Sequence, residues 1–155
     1  MGLVIDTDVW VLAEKAGSKL NLARWTHYGG AYMSAITASE LLLGVERANT
    51  TERRAQRGAF VENLLASIPV LEFSMPVART HARMIVALSK SATAGAHDAL
   101  IAATAVHHGF ALLTRNVADF TLFAGLKVEA FSNIPRMPAT SKIKPKQPPA
   151  QAGRA

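Results

Sequence analysis

The chain has 155 residues, half of them apolar, with no cysteine and a formal charge of +6. That length suits one domain with a well-buried core, and the lack of cysteine excludes a disulfide framework and any thiolate metal site, leaving oxygen and imidazole ligands. No apolar run reaches the roughly 18 residues needed to span a bilayer, and VIDTDVW follows the first three residues without the regions of a signal peptide, so a cytoplasmic protein with no membrane attachment is expected.

Short apolar runs of strand composition alternate with longer stretches of helical period, the pattern of an α/β domain with a mainly parallel sheet. The first strand is expected at residues 3–5 and a helix at 9–15. Gly29 and Gly30 punctuate the approach to a second strand at 32–35, which a helix at 39–48 follows. A helix at 52–66 sets Phe60, Leu64 and Leu65 on one side and Arg53, Arg54 and Arg57 largely on the other. The third strand is expected at 70–73, and Pro76 suits the first turn of a helix running to about residue 89. After the small polar loop KSATAG, a helix opens near His97 and Asp98 and closes at His108, with Gly109 just past its end. Strands at 111–114 and 128–131 complete a five-stranded sheet within residues 1–135.

Residues 136–155 form a separate stretch rich in Pro and Lys. It holds Arg136, Lys142, Lys144, Lys146 and Arg154 and no acidic residue. Such a composition buries too little apolar surface to offset its ordering entropy, so a disordered basic tail is expected. The first 135 residues are then nearly neutral, and the basic balance is no argument that the folded part binds nucleic acid.

The acidic residues carry the chemistry. Asp6, Asp8, Asp98 and Asp119 are all the aspartates of the chain, and each falls at a junction between elements. Asp6 and Asp8 follow the first strand, Asp98 opens the apolar helix ALIAATAV, and Asp119 lies past the strand ALLT; Glu40 is expected in the first turn of the helix after the second strand. Parallel strands bring their carboxyl ends to one edge, where ligands bind. Capping accounts for a single aspartate at a helix start. Glu40 resists that account, because its flanks are apolar and Thr37 and Ser39 already offer capping oxygens. Several carboxylates together raise one another's pKa values unless a cation joins them. All-oxygen ligation points to Mg2+ or Mn2+, one or two ions able to activate water and stabilise charge on a phosphodiester.

The strings VIDTDVW, ITASELLLGV and HDALIAATAVHHGFALLTRNVADF resemble the successive acidic motifs of PIN-domain ribonucleases and, within them, the VapC toxins of bacterial toxin–antitoxin pairs, over about residues 2 to 133. The resemblance implies a single PIN-like domain, a small mainly parallel sheet with helices on both faces. It makes Asp6, Glu40 and Asp98 the core metal-binding carboxylates and Asp119 the fourth acid, a position that Asn116 contests. Thr7 and Thr114 are expected to donate hydrogen bonds to these acids, and Arg115 to hold a substrate phosphate. Asp8 is expected to form the loop and to stay peripheral. The resemblance further implies an RNA substrate, a homodimer and a cognate antitoxin seated in a groove near the site.

Other residues are discounted. His97 reads as structural rather than as a general base, and His107 and His108 fit a helix C-terminus whose dipole favours imidazolium. Trp10 and Trp25 are expected in the core or a dimer contact, and Arg79 and Arg83 on an exposed helix face. Two alternatives compete. Asp6 and Asp8 match the DxD start of haloacid-dehalogenase-type phosphotransferases, with Asp6 as nucleophile, but the lysine and late acidic pair of that class are missing. A non-catalytic partner-binding module would have no reason to keep all four acids.

Overall fold

The computed structural model describes residues 1–17 and 19–132. The basic tail expected at 136–155, and with it the domain boundary near 135, lies outside the described residues.

Strand β1 (Gly2–Ile5) is buried at all positions because it is the middle of the sheet. It pairs in parallel with β2 (Gly30–Ser34), setting Leu3 beside Ala31, and with β4 (Ala111–Thr114), setting Val4 beside Leu112. Strands β3 (Val70–Leu71) and β5 (Val128–Ala130) add in parallel at the two edges, giving the order β3-β2-β1-β4-β5. The sheet is thus wholly parallel among the described residues.

Alternation along the strands divides the core in two. Leu3, Ile5, Met33 and Leu113 face one side, where they meet Val9 and Trp10 of α1 (Thr7–Ala16), Leu41 of α2 (Ala35–Glu46) and Val61 of α3 (Thr51–Ser67). Trp25 and Tyr28 join this layer from a 3-10 turn, Ala23–Tyr28, that no sequence pattern signalled. Val4 and Leu112 face the other side, against Val77 and Met84 of α4 (Met75–Ala87) and the alanines of α5 (Ala96–His108). Phe120, from the one-turn helix α6 (Val117–Phe120), closes that layer. The sheet therefore has helices on both faces.

Helix ends correct several expectations. Helix α1 begins at Thr7, not at residue 9, so Asp6 is its N-cap and Asp8 is helical rather than a loop residue. Helix α2 begins at Ala35, four residues early, because Ser34 caps it by accepting the N–H of Thr37 at 3.0 Å. Glu40 consequently lies in the second turn, and neither Thr37 nor Ser39 is the cap. The last turn of α2 has no basic residue; Arg57 and Arg54 of α3 donate to its carbonyls, at Gly44 (3.1 Å) and Glu46 (2.9 Å). Helix α5 closes as expected on Gly109 in the left-handed region, φ 66°. Strands β3 and β5 stop short of residues 73 and 131. Around α4, Phe73, Met75, Ile85 and Val86 stay exposed, Val86 at 86%.

Candidate active site

Strand order reverses at β1, whose followers lie on opposite sides of it, and this opens a crevice at the carboxyl ends of β1 and β4. Asp6, the first residue after β1, is 4% exposed in it. Its Oδ1 accepts the N–H of Thr7 at 2.8 Å, and its Oδ2 accepts the hydroxyl of Thr114 at 2.8 Å. The same Thr114 oxygen accepts the N–H of Asn116 at 3.0 Å, so the turn after β4 is built around the group that holds Asp6.

The other acids surround this pair. Thr7 Oγ1 stands 3.1 Å from Glu40 Oε1, joining the starts of α1 and α2. Asp8 Oδ1 faces the N–H of Arg115 at 3.5 Å, and Asp8 Oδ2 is buried without a hydrogen-bond partner among the described residues. Asp98 is half-buried in the first turn of α5, and Asp119 is exposed in α6. Arg115 and Asn116 are exposed at the rim.

Electrostatics links acids that are far apart in sequence. Burial, and next the charge of Asp8, push Asp6 up to about 7, against the hydrogen bonds from Thr114 and Thr7. Asp98 is raised by burial first and then by the charges of Asp119, Glu40 and Asp8, which the nearby His97 opposes. The structure thus brings Asp6, Glu40, Asp98 and Asp119 to one crevice and adds Asp8, which was expected to be peripheral. Among the described residues, no three acidic or imidazole groups converge into a ready-made metal cage. The donor set nevertheless fits a hard divalent cation: every donor is an oxygen, one carboxylate is buried with its pKa raised, and Asp8 presents a buried oxygen without a partner.

Two further residues escaped the sequence. Ser34 and Thr37, both fully buried, continue from Thr7 as a row of hydroxyls. Ser34 before an apolar run was a usable capping signal, masked by the rival oxygens of Thr37 and Ser39. His97 Nδ1 is 3.9 Å from Glu40 Oε2, beyond hydrogen-bond range, and its side chain is 63% exposed. His107 and His108 do occupy the last turn of α5, but burial, and then His107, lower the pKa of His108, contrary to the imidazolium expected there.

Comparison with known proteins adds the following. The family model described as PIN domain matches residues 3–124. Ribonuclease VapC1 of Rickettsia felis is 43% identical over 134 residues, which cover 86% of this chain and 98% of that protein. Ribonuclease VapC of Rickettsia bellii is 35% identical over 129 residues, covering 83% and 95%. Among solved structures, the crystal structure of VapBC2 from Rickettsia felis bound to a DNA fragment from their promoter superposes with a TM-score of 0.76 at 22% identity, over 85% of this chain and all of that one.

Proposed function

This chain belongs to the PIN-domain family, and on that premise we propose that it is the VapC-type ribonuclease of a toxin–antitoxin pair, with Asp6, Glu40, Asp98 and Asp119 holding Mg2+ or Mn2+. It is a divalent-metal-dependent hydrolase of RNA phosphodiesters. The observation that carries this reading is the gathering of carboxylates at the β1/β4 crevice, where Asp98 is raised by burial and by three other acids. A bound divalent cation supplies Lewis acidity toward water and a phosphate oxygen. The residues of the chain do the rest. Thr7 and Thr114 fix both oxygens of Asp6, so that the acid is oriented before any ligand arrives. Among the charges on Asp98, that of Asp119 contributes most, which supports placing Asp119 beside the other acids. The guanidinium of Arg115, exposed at the rim, suits bidentate contact with a substrate phosphate.

The partners follow from two surfaces. A groove of about 730 Å³ between α1 and α3, lined by Trp10, Leu20, Phe60 and Leu64, supports an antitoxin segment as its occupant. Exposed Met75, Ile85 and Val86 support pairing with a second copy through α4. No helix among the described residues is long and apolar enough to cross a membrane. An RNA substrate supports the cytoplasm as the place of its work. The phosphotransferase reading is not favoured: it leaves Glu40 idle, whereas Thr7 joins Glu40 directly to the start of α1 beside Asp6. The non-catalytic module is not favoured either, since all four acids stand around the crevice.

The test has two parts. Titrating Mn2+ into the purified protein is expected to raise the melting temperature of wild type and to leave Asp98→Asn unmoved; equal responses remove Asp98 from the metal site. Expressing wild type and Asp6→Ala and mapping new RNA 5′ ends is expected to reveal sites found with wild type alone. Identical profiles would defeat the ribonuclease reading.

A further inference from the structure

Asp6 and Glu40 each accept a hydroxyl, from Thr114 and from Thr7. Asp98 has no such donor among the described residues, although burial, and after it the charges of Asp119, Glu40 and Asp8, work against its ionised form. What sets its place is the space beside it. Gly95 caps α5 without a side chain, and Asp98 stands three positions on, about one turn along the same face. Helical side chains lean toward the N-terminus, so the carboxyl of Asp98 comes back over the bare backbone of Gly95. A Cβ at Gly95 would lie 3.1 Å from Asp98 Oδ2, 3.5 Å from its Cγ and 3.7 Å from its Cβ, and these are the three nearest atoms it would meet. Nothing else there asks for glycine. Its φ of −63° and ψ of 137° are open to any residue, it is exposed, and it gives α5 no capping oxygen where serine or asparagine would supply one.

We propose that Gly95 is a positioning residue: by carrying no side chain it leaves the space in which the carboxyl of Asp98 rests, and so sets where this acid meets the cation. The inference rests on the reading of Asp98 as a metal-holding acid. Gly95 itself touches neither cation nor RNA in this scheme. A methyl group there forces the carboxyl to give by a few tenths of an ångström. The end of a side chain yields more easily than backbone, so the fold survives while the acid is displaced.

The experiment is calorimetric titration of the metal-free full-length protein with Mn2+, with thermal melting in chelator to follow the fold. Gly95→Ala is expected to weaken Mn2+ binding about tenfold, the lower end of the cost of disturbing what supports a metal ligand. Alanine is also a poorer cap than glycine, and Gly95→Ser separates the two causes, since serine caps better and carries the same Cβ. Gly95→Ser is expected to melt at or above wild type in chelator and still to bind Mn2+ more weakly. Gly109→Ala, which strains the far end of the same helix, is expected to bind Mn2+ like wild type. Wild-type affinity in both Gly95 variants overturns the proposal, as does an equal loss in Gly109→Ala. A loss in Gly95→Ala that is absent from Gly95→Ser assigns the effect to the cap and overturns it too. Should Gly95→Ala not fold, Gly95→Ser is judged by the same affinity. Asp98→Asn serves as the reference: if it binds Mn2+ like wild type, the metal reading of Asp98 itself fails, whereas loss there with no change in either Gly95 variant fails the positioning role alone.

Discussion

Asp6 shows how little two good hydrogen bonds do against burial. Thr7 and Thr114 both donate to it, yet its removal from water and the neighbouring charge of Asp8 hold it at about 7, against 3.8 for a free aspartate. The sign of the consequence follows from proton binding. Between about 4 and about 7 the folded chain keeps a proton that the unfolded chain has released, so in the metal-free protein the stability tied to this group falls as pH rises through that window and is level above it. Asp6→Asn, which carries no such charge, is expected to melt above wild type at pH 8 in chelator, with the gap narrowing toward pH 4. Thermal scans across that range check it, and a constant gap would remove Asp6 as the cause. Thr114→Val takes away one of the two donors to Asp6 and is expected to slow RNA cleavage tenfold or more, read as initial rates at saturating Mn2+.

At the scale of the helix and strand, ends decide where acids stand. Gly109 ends α5 with φ 66°, and a Cβ added there meets nothing within 4 Å. Gly109→Ala thus tests backbone strain alone and is expected to cost about 1 kcal/mol in denaturant unfolding, with RNA cleavage unchanged. That end was legible because an unbroken apolar helix ran into a glycine. The start of α2 was not. Ser34 belongs at once to β2, where it pairs with Leu71, and to the cap of α2, and local sequence could not rank it against Thr37 and Ser39. The choice was made by pairing across the sheet, and it moved Glu40 by a turn. The six-residue turn that buries Trp25 and Tyr28 is too short to show a period, and α6 is a single turn. The acids were legible because each lies beside a strand or at a helix start, and Thr7 and Thr114 beside them; the buried hydroxyls of Ser34 and Thr37 were not, since Ser and Thr in such places usually serve only as caps.

On the proposed reading the molecule separates its tasks by surface: cleavage is assigned to the crevice and antitoxin binding to the groove between α1 and α3, on the helices of one face. Trp10 lines that groove together with Phe60 and Leu64. Phe60→Asp is expected to abolish co-purification with the antitoxin while RNA cleavage survives, and loss of both would mean that the substitution damages the fold. On the proposed reading, the near neutrality of residues 1–135 assigns RNA recognition to local groups such as Arg115 rather than to overall attraction.

The place of β1 in the middle of the sheet has a consequence in time. Asp6 directly follows this strand, but the hydroxyl that holds Asp6 comes from Thr114, 108 positions later in the chain. Until β4 has been made and threaded beside β1, an emerging chain already carries Asp6, Glu40 and Asp98 but cannot assemble them. The crevice is therefore completed by pairing across the sheet and by no local segment of the chain.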